Sequence, residues 1–432
     1  MSFLETLTDE LFNQRGDGAT NGAARLRLYD ASLVWGASRH RRVATPSVIE
    51  ALFAAPGEER SSIARRAVEL AAWGRSSEVD DIHLASCTTP GTGVCATVVA
   101  LAPLAPDAPA ERALAAVAAG YEAMTRCAGA LGGAELLARG VWPSRAVAPI
   151  AAAVTGATVL NLDLATTVEA VALAAGSEIQ GALREPAREI SYAQAILAGV
   201  VAAVGAAHGL RGDAATLAAW GHLDGRDGDD RSSTDLSEPA VLSTAIKPFC
   251  GARQTLAATT ALLDIIATSS LRSVDVRRVR VAVPPPHLAM VDRPRVVTRL
   301  DAITSAQYQV ALALLRPEDL YDLERTPVVD EQISLLMRLV EVRAAPELME
   351  NFPREWGAVL EIDTDTGTLL GHARAAQNER DLSVTNLRTK GERLFARAGA
   401  TTEDVAALED LTQSFTVLRT LADPQYVERI TR

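Results

Sequence analysis

A chain of 432 residues with 48% hydrophobic and 22% charged side chains, and a mean hydropathy of +0.10, has enough apolar surface for two or three domains' worth of core and excludes disorder over most of its length. Its 42 Lys and Arg stand against 54 Asp and Glu, a net charge of -12, and no basic run with interleaved aromatics offers itself to a phosphate backbone, so nucleic acid is not an expected partner. The apolar stretches are broken by charges too often to span a bilayer, and MSFLETLTDE has no basic region leading into an apolar block, so a soluble cytoplasmic protein without membrane contact is expected.

From about residue 45 to 270, alanine-rich segments with apolar residues every three to four positions read as successive packed helices. Pro143, Pro186 and Pro248 mark joints between them, and Asp163 is a candidate N-cap for the helix that follows. Residues 191–210, SYAQAILAGVVAAVGAAHGL, read as a buried helix whose small residues admit close neighbours. The charged run at 225–239 reads as a solvated loop. Near residue 270 the texture changes: VDVRRVRVAV alternates β-branched and charged residues and stops at Pro284, Pro285 and Pro286, which predicts a strand. A hairpin is predicted over 356–376 with Gly367 in its turn, helices over 305–315 and 330–339, and helix again in the last 30 or so residues. The expected fold is mainly α with an α+β second domain: a helical domain over 1–268, completed by 401–432, and an α+β unit over 269–400.

No two of the six histidines share an i, i+4 spacing, and the four cysteines, Cys87, Cys95, Cys127 and Cys250, form no C-x-x-C pair, so neither a metal nor a cofactor is expected and the thiols read as free. Asp81 and His83 can act as a general base and its orienting partner, or as a helix cap and a surface imidazole. Lys247, the one charge in AVLSTAIKPFCGA, precedes a proline and so either sits buried beside an anion or snorkels to solvent. Arg188 and Arg253 carry planar forks suited to carboxylates or to structural ion pairs. Tyr308 lies three residues after Ser305 on one helical face, where its phenol can donate to an enolate oxygen or its ring can fill the core.

Several segments, in order along most of the chain, resemble the MmgE/PrpD family, which includes 2-methylcitrate dehydratase, cis-aconitate decarboxylase and iminodisuccinate epimerase. The family's Asp-Asp-x-His stretch is similar to Asp80, Asp81, Ile82 and His83, and its His-Pro-Gly to Thr89, Pro90 and Gly91. Tyr121, Glu122 and Arg126 match its Tyr-Glu-x-x-x-Arg helix, Gly140, Trp142 and Ser144 its Gly-x-His-x-Thr, and Lys247, Pro248 and Phe249 its Lys-Pro-aromatic. Ser305, Tyr308 and Ala311 match a helix of its second domain, and Lys390 lies in its closing helix.

The resemblance implies a homodimer of helical domains, each with a smaller α/β lid, and a metal-free, cofactor-free active site between domain and lid that works on a small carboxylic acid. It places Asp81, His83, Lys247 and Tyr308 as catalytic and Thr89, Trp142, Ser144, Arg188, Arg253 and Ser305 as substrate-binding. The implied reaction is that of a lyase, a dehydratase or decarboxylase that begins with proton abstraction next to a carboxylate or carbonyl. An isomerase, epimerase or cyclase through the same enolate, or a non-catalytic binding protein, are the alternatives. Two family histidines are replaced here by Thr89 and Trp142, the family lysine by Arg188, and a third histidine is missing near Thr255 and Leu256. With fewer groups that exchange protons near neutral pH, the expected substrate has one or two carboxylates and a larger apolar portion.

Overall fold

The computed structural model describes residues 2–13, 18–39, 62–176, 188–221, 238–373 and 381–431. The joint at Pro186 and most of the loop at 225–239 lie outside them. The helical half is built from α1 (Phe3–Asn13), α2 (Gly18–Ser38), α3 (Ile63–Ser77), α4 (Gly91–Leu101), α5 (Ala110–Ala130), α6 (Pro143–Val159), α7 (Leu164–Ala175) and α8 (Arg188–Ala207). Pro143 starts α6 in its first turn, where a missing N–H costs nothing, and Asp163 caps α7 by accepting from the Thr166 amide at 2.8 Å. Helix α6 is buried along nearly its whole length, with α5 and α8 against it.

Helix α8 corrects the expectation of a fully buried segment. Tyr192, Ile196, Val200 and Ala203 face the core, whereas Val201 is 59% exposed. By length and composition α8 is apolar enough to cross a membrane, but half of that stretch is packed inside the protein. Its apolar content serves close approach: a β-carbon on Gly199 would collide with the Pro149 carbonyl of α6.

The second half begins with α9 (Arg253–Ser269), followed by β1 (Val276–Val283), α10 (Ala306–Leu315), α11 (Glu331–Arg338), β2 (Val340–Ala344), β3 (Ala358–Thr364) and β4 (Gly367–Ala373). The sheet order is β2-β1-β3-β4, with β1 parallel to β2 and antiparallel to β3. Val279 and Val281 of β1 turn inward, while Arg278 and Arg280 turn outward to Glu341, Glu361 and Asp363 on the neighbouring strands. The two consecutive arginines at 277 and 278 coincide with a break in the β1–β3 register, which is how a strand absorbs a departure from period two. At the hairpin, Gly367 has φ of +142° and opens β4, one position later than a place inside the loop. The chain then returns as α12 (Val384–Ala398), α13 (Thr402–Ser414) and α14 (Pro424–Thr431), all packed on α2.

The cores divide the chain differently from the expected boundaries at 268/269 and 400/401. Leu256, Ala261 and Leu262 of α9 belong to the second core with the sheet, and Leu387, Leu394 and Phe395 of α12 belong to the first. Helical periodicity is the same whichever core a helix faces, so the texture change at β1 marks the first strand and not the domain edge.

Candidate functional site

Helix α3 ends at Ser77, and Glu78 takes a left-handed conformation, φ +57°, that turns the chain sharply. The chain bends again at Asp80 and reaches Ile82, which pairs antiparallel with Ala245 through N–H to O contacts of 2.9 and 2.8 Å. That register sets residue 80 opposite residue 247. The Lys247 ammonium accordingly donates to Asp80 Oδ1 at 3.5 Å, to Glu78 Oε2 at 3.3 Å and to the Glu78 carbonyl at 3.4 Å, and it is buried. Of the two readings of Lys247, burial beside an anion is the one found.

Glu78 is the hub. Its Oε1 accepts from Arg75 Nη2 at 2.6 Å and also from Arg188, while Arg75 pairs with Asp80 as well. Burial by itself would raise the carboxyl's pKa, but Arg75 and Arg188, with Lys247 and Arg299 behind them, outweigh it and hold Glu78 well below the usual carboxylate range. The same two carboxylates keep the Arg75 guanidinium charged against a burial penalty, so its pKa lies above the ordinary value.

Asp81, the next residue, meets α4 and α5 instead. Its Oδ2 accepts from the Tyr121 hydroxyl at 2.5 Å and its Oδ1 from the Gly91 amide at 2.9 Å, with Arg27 3.7 Å away. A β-carbon on residue 91 would stand 2.7 Å from Asp81 Oδ1, so glycine is required for this approach. Burial raises the Asp81 pKa to about 6, against the opposing pull of Arg27 and the Tyr121 hydrogen bond. His83 Nδ1 lies 2.8 Å from the Ser86 hydroxyl, which continues to Thr88 at 2.7 Å, and burial lowers the imidazole to about 4, leaving it neutral at physiological pH. Neither Asp81 nor His83 lines the cavity described next.

A cavity of about 140 Å³ opens where the two halves meet. Arg75, Glu78, Thr89, Trp142, Arg188 and Lys247 face it from the helical side. Arg253, at the start of α9, and Arg293 and Met290, after β1, face it from the other. Trp142 precedes α6, and its ring carries two guanidiniums, with Arg75 Cζ 5.5 Å and Arg188 Cζ 5.6 Å from the centroid. Ser144, in the first turn of α6, holds Thr89 by accepting from its amide at 3.0 Å, and lies 3.2 Å from its hydroxyl. Five cationic side chains thus face the cavity with one carboxylate, Glu78, and Asp80 stands behind Lys247. Such a lining suits an anion.

Two more expected site residues, besides Asp81 and His83, lie outside the cavity lining. Tyr308 is buried in the second core, where its hydroxyl accepts from the Val328 amide at 3.3 Å, and Ser305 caps α10 by accepting from the Tyr308 amide at 3.1 Å. The shared helical face is real, but it turns into the α+β core. Conversely, Arg75, Glu78, Asp80 and Arg293 were missed. The signal for three of them is a run of four charges within seven residues, Arg75 to Asp81, at the end of α3. Cys87 also lines the cavity, with burial raising its thiol to about 12, so it is no nucleophile near neutral pH. Among the described residues, no group of three or more His, Cys, Asp or Glu is placed to hold a metal ion.

The model of the MmgE/PrpD N-terminal domain matches residues 37–231, and that of the MmgE/PrpD C-terminal domain matches residues 249–413. The chain belongs to the MmgE/PrpD family. Comparison with individual curated proteins finds no match. Membership in MmgE/PrpD supports an enzyme of dehydratase-like or related activity in general terms. The matched stretches supply both walls of the cationic cavity, Arg75 to Arg188 from one and Arg253 and Arg293 from the other.

Proposed function

We propose that this MmgE/PrpD protein is a lyase that removes water or carbon dioxide from a small carboxylic acid held in the cavity between its two halves, by proton abstraction next to a carboxylate or carbonyl. The observation that carries the reading is the lining: Arg75, Arg188, Lys247, Arg253 and Arg293 converge on one space with Glu78 as the only lining carboxylate among the described residues. Fixed cations held in place by ion pairs stabilise the negative charge that builds on an enolate oxygen, and they need no reorganisation as it forms. Lys247 is the central group, since Glu78 beside it and Asp80 outside the lining hold its ammonium at the cavity wall. In a dehydration, the C–H proton passes to Glu78, the carboxylate that lines the cavity, and the electron pair of the broken bond forms the new double bond. The C–O bond then breaks, and the hydroxyl leaves as water with a proton that Lys247 is placed to give.

Trp142, where relatives carry histidine, brings apolar area to this space, which favours an acid with one or two carboxylates and an apolar portion. The test is a panel of hydroxy acids, unsaturated diacids and amino-acid-derived diacids, followed by mass, ultraviolet absorbance and label uptake in deuterated water. A lyase releases a conjugated, absorbing enoate, whereas an isomerase or epimerase takes up deuterium without absorbance. Lys247→Met is expected to lower the rate about 10²-fold or more. Turnover undiminished in both Lys247→Met and Arg188→Gln would refute the site.

A further inference from the structure

Behind the segment that carries Lys247 lies a second cavity, of about 100 Å³. Lys247 faces the first cavity, whereas its neighbours Ile246 and Pro248 wall the second. Leu263 of α9 and Leu387 of α12 add apolar surface, and Phe249 meets Tyr321 edge to face with centroids 6.4 Å apart. Helix α12 contributes Asn386, Lys390 and Arg393, spaced to share one helical face.

The charges there differ in their availability. The Lys390 ammonium is buried and neutralised by Asp30 Oδ1 at 2.7 Å, and it also donates to the Val79 carbonyl at 2.8 Å. Arg393 is on the exposed side, donating to the Tyr321 hydroxyl at 2.5 Å and lying 5.3 Å from that ring's centroid. No carboxylate lines this cavity among the described residues. The lining mixes Ile246, Pro248, Phe249, Leu263 and Leu387 with the polar Thr260, Asn386 and Thr389, and this apolar side with a guanidinium at the solvent end matches the two ends of a small monocarboxylate.

We propose that this cavity is a second ligand site, which takes a short aliphatic monocarboxylate whose charged end pairs with Arg393 and whose body lies between Phe249, Leu263 and Leu387. Its volume is below the roughly 150 Å³ that admits benzene, which limits the body to about four or five carbon atoms. An occupant touches α12 from the first core, α9 from the second and both neighbours of Lys247.

The experiment titrates pentanoate into the full chain, read by saturation-transfer NMR and calorimetry, with pentylamine as the control of equal body and opposite charge. Saturable binding of pentanoate and none of pentylamine is expected. Arg393→Gln should weaken it roughly tenfold or more, the loss of a charge-assisted hydrogen bond. Leu263→Trp, which fills the cavity, should abolish it in a protein whose circular dichroism is unchanged, and Arg188→Gln in the first cavity should leave it intact. Absence of saturable binding, equal binding of pentylamine, or indifference to Arg393→Gln would overturn the proposal. Loss with Arg188→Gln and not with Arg393→Gln would overturn it too, while supporting acid binding in the first cavity, so the two readings fail separately.

Discussion

Replacing Glu78 by Gln removes one negative charge from the centre of the site and almost no volume. In the native protein Oε1 accepts from Arg75 and Arg188, and Oε2 lies 3.3 Å from Lys247, all within a side chain only 4% exposed. The amide oxygen of Gln can still accept from a guanidinium, but its NH2 would face either an ammonium or a second guanidinium, donor against donor. Breaking a buried ion pair from one side costs about 3–5 kcal/mol, because the remaining charges stay buried without compensation. Asp80 still pairs with Arg75 and Lys247, so the lower half of that range is expected.

Urea unfolding of both proteins at pH 7 measures the loss. The Glu78 carboxyl is held well below its ordinary value, so as pH falls the unfolded chain takes up the proton first. Its stabilisation is then complete above about pH 5 and fades as pH drops through the depressed folded pKa, and the gap between native and Glu78→Gln should narrow in acid. In an Arg188→Gln background the same substitution should cost less, as expected for partners in one network. A loss under about 1 kcal/mol, the value of an exposed pair, or a gap that widens in acid, would refute the reasoning.

Asp81 carries the opposite sign: its pKa is raised to about 6, so the folded state binds the extra proton and stability from this group falls as pH rises from about 4 to 6, by on the order of 3 kcal/mol. Asp81→Asn should flatten that part of the pH–stability curve, and an identical slope in both proteins would show that the carboxyl is already ionised at pH 4. Trp142→Ala should cost about 3–5 kcal/mol in urea unfolding, and Trp142→Phe less, since a phenyl ring still offers a face to Arg75 and Arg188. Equal losses would mean that the guanidiniums do not use the ring.

Local rules were legible wherever one residue decides one backbone group. Asp163 as an N-cap, Pro143 at a helix start, the strand that stops at Pro284 and the helices of 305–315 and 330–339 all appear, the last two as α10 and α11 capped by Ser305 and Asp330. In the same way, an isolated lysine before a proline in an apolar run led to Lys247, buried beside Glu78 and Asp80, and of the two readings of Arg188 the structural ion pair, with Glu78, is present at the cavity wall. Each of these rests on short-range sterics or on the cost of leaving a charge in apolar surroundings, and both can be read from neighbouring residues.

The rest depended on which elements meet. Periodicity gives a helix an apolar face without saying which core receives it, so α9 and α12 changed sides, and the face of Tyr308 and Ser305 turned into the α+β core. Between Asp80 and Asp81 the sequence offers two equal carboxylates. The antiparallel pairing of Ile82 with Ala245 decides that Asp80 meets Lys247 while Asp81 meets Tyr121 and Gly91. One long-range register, set by residues 163 positions apart, thus decides which of two adjacent aspartates meets Lys247.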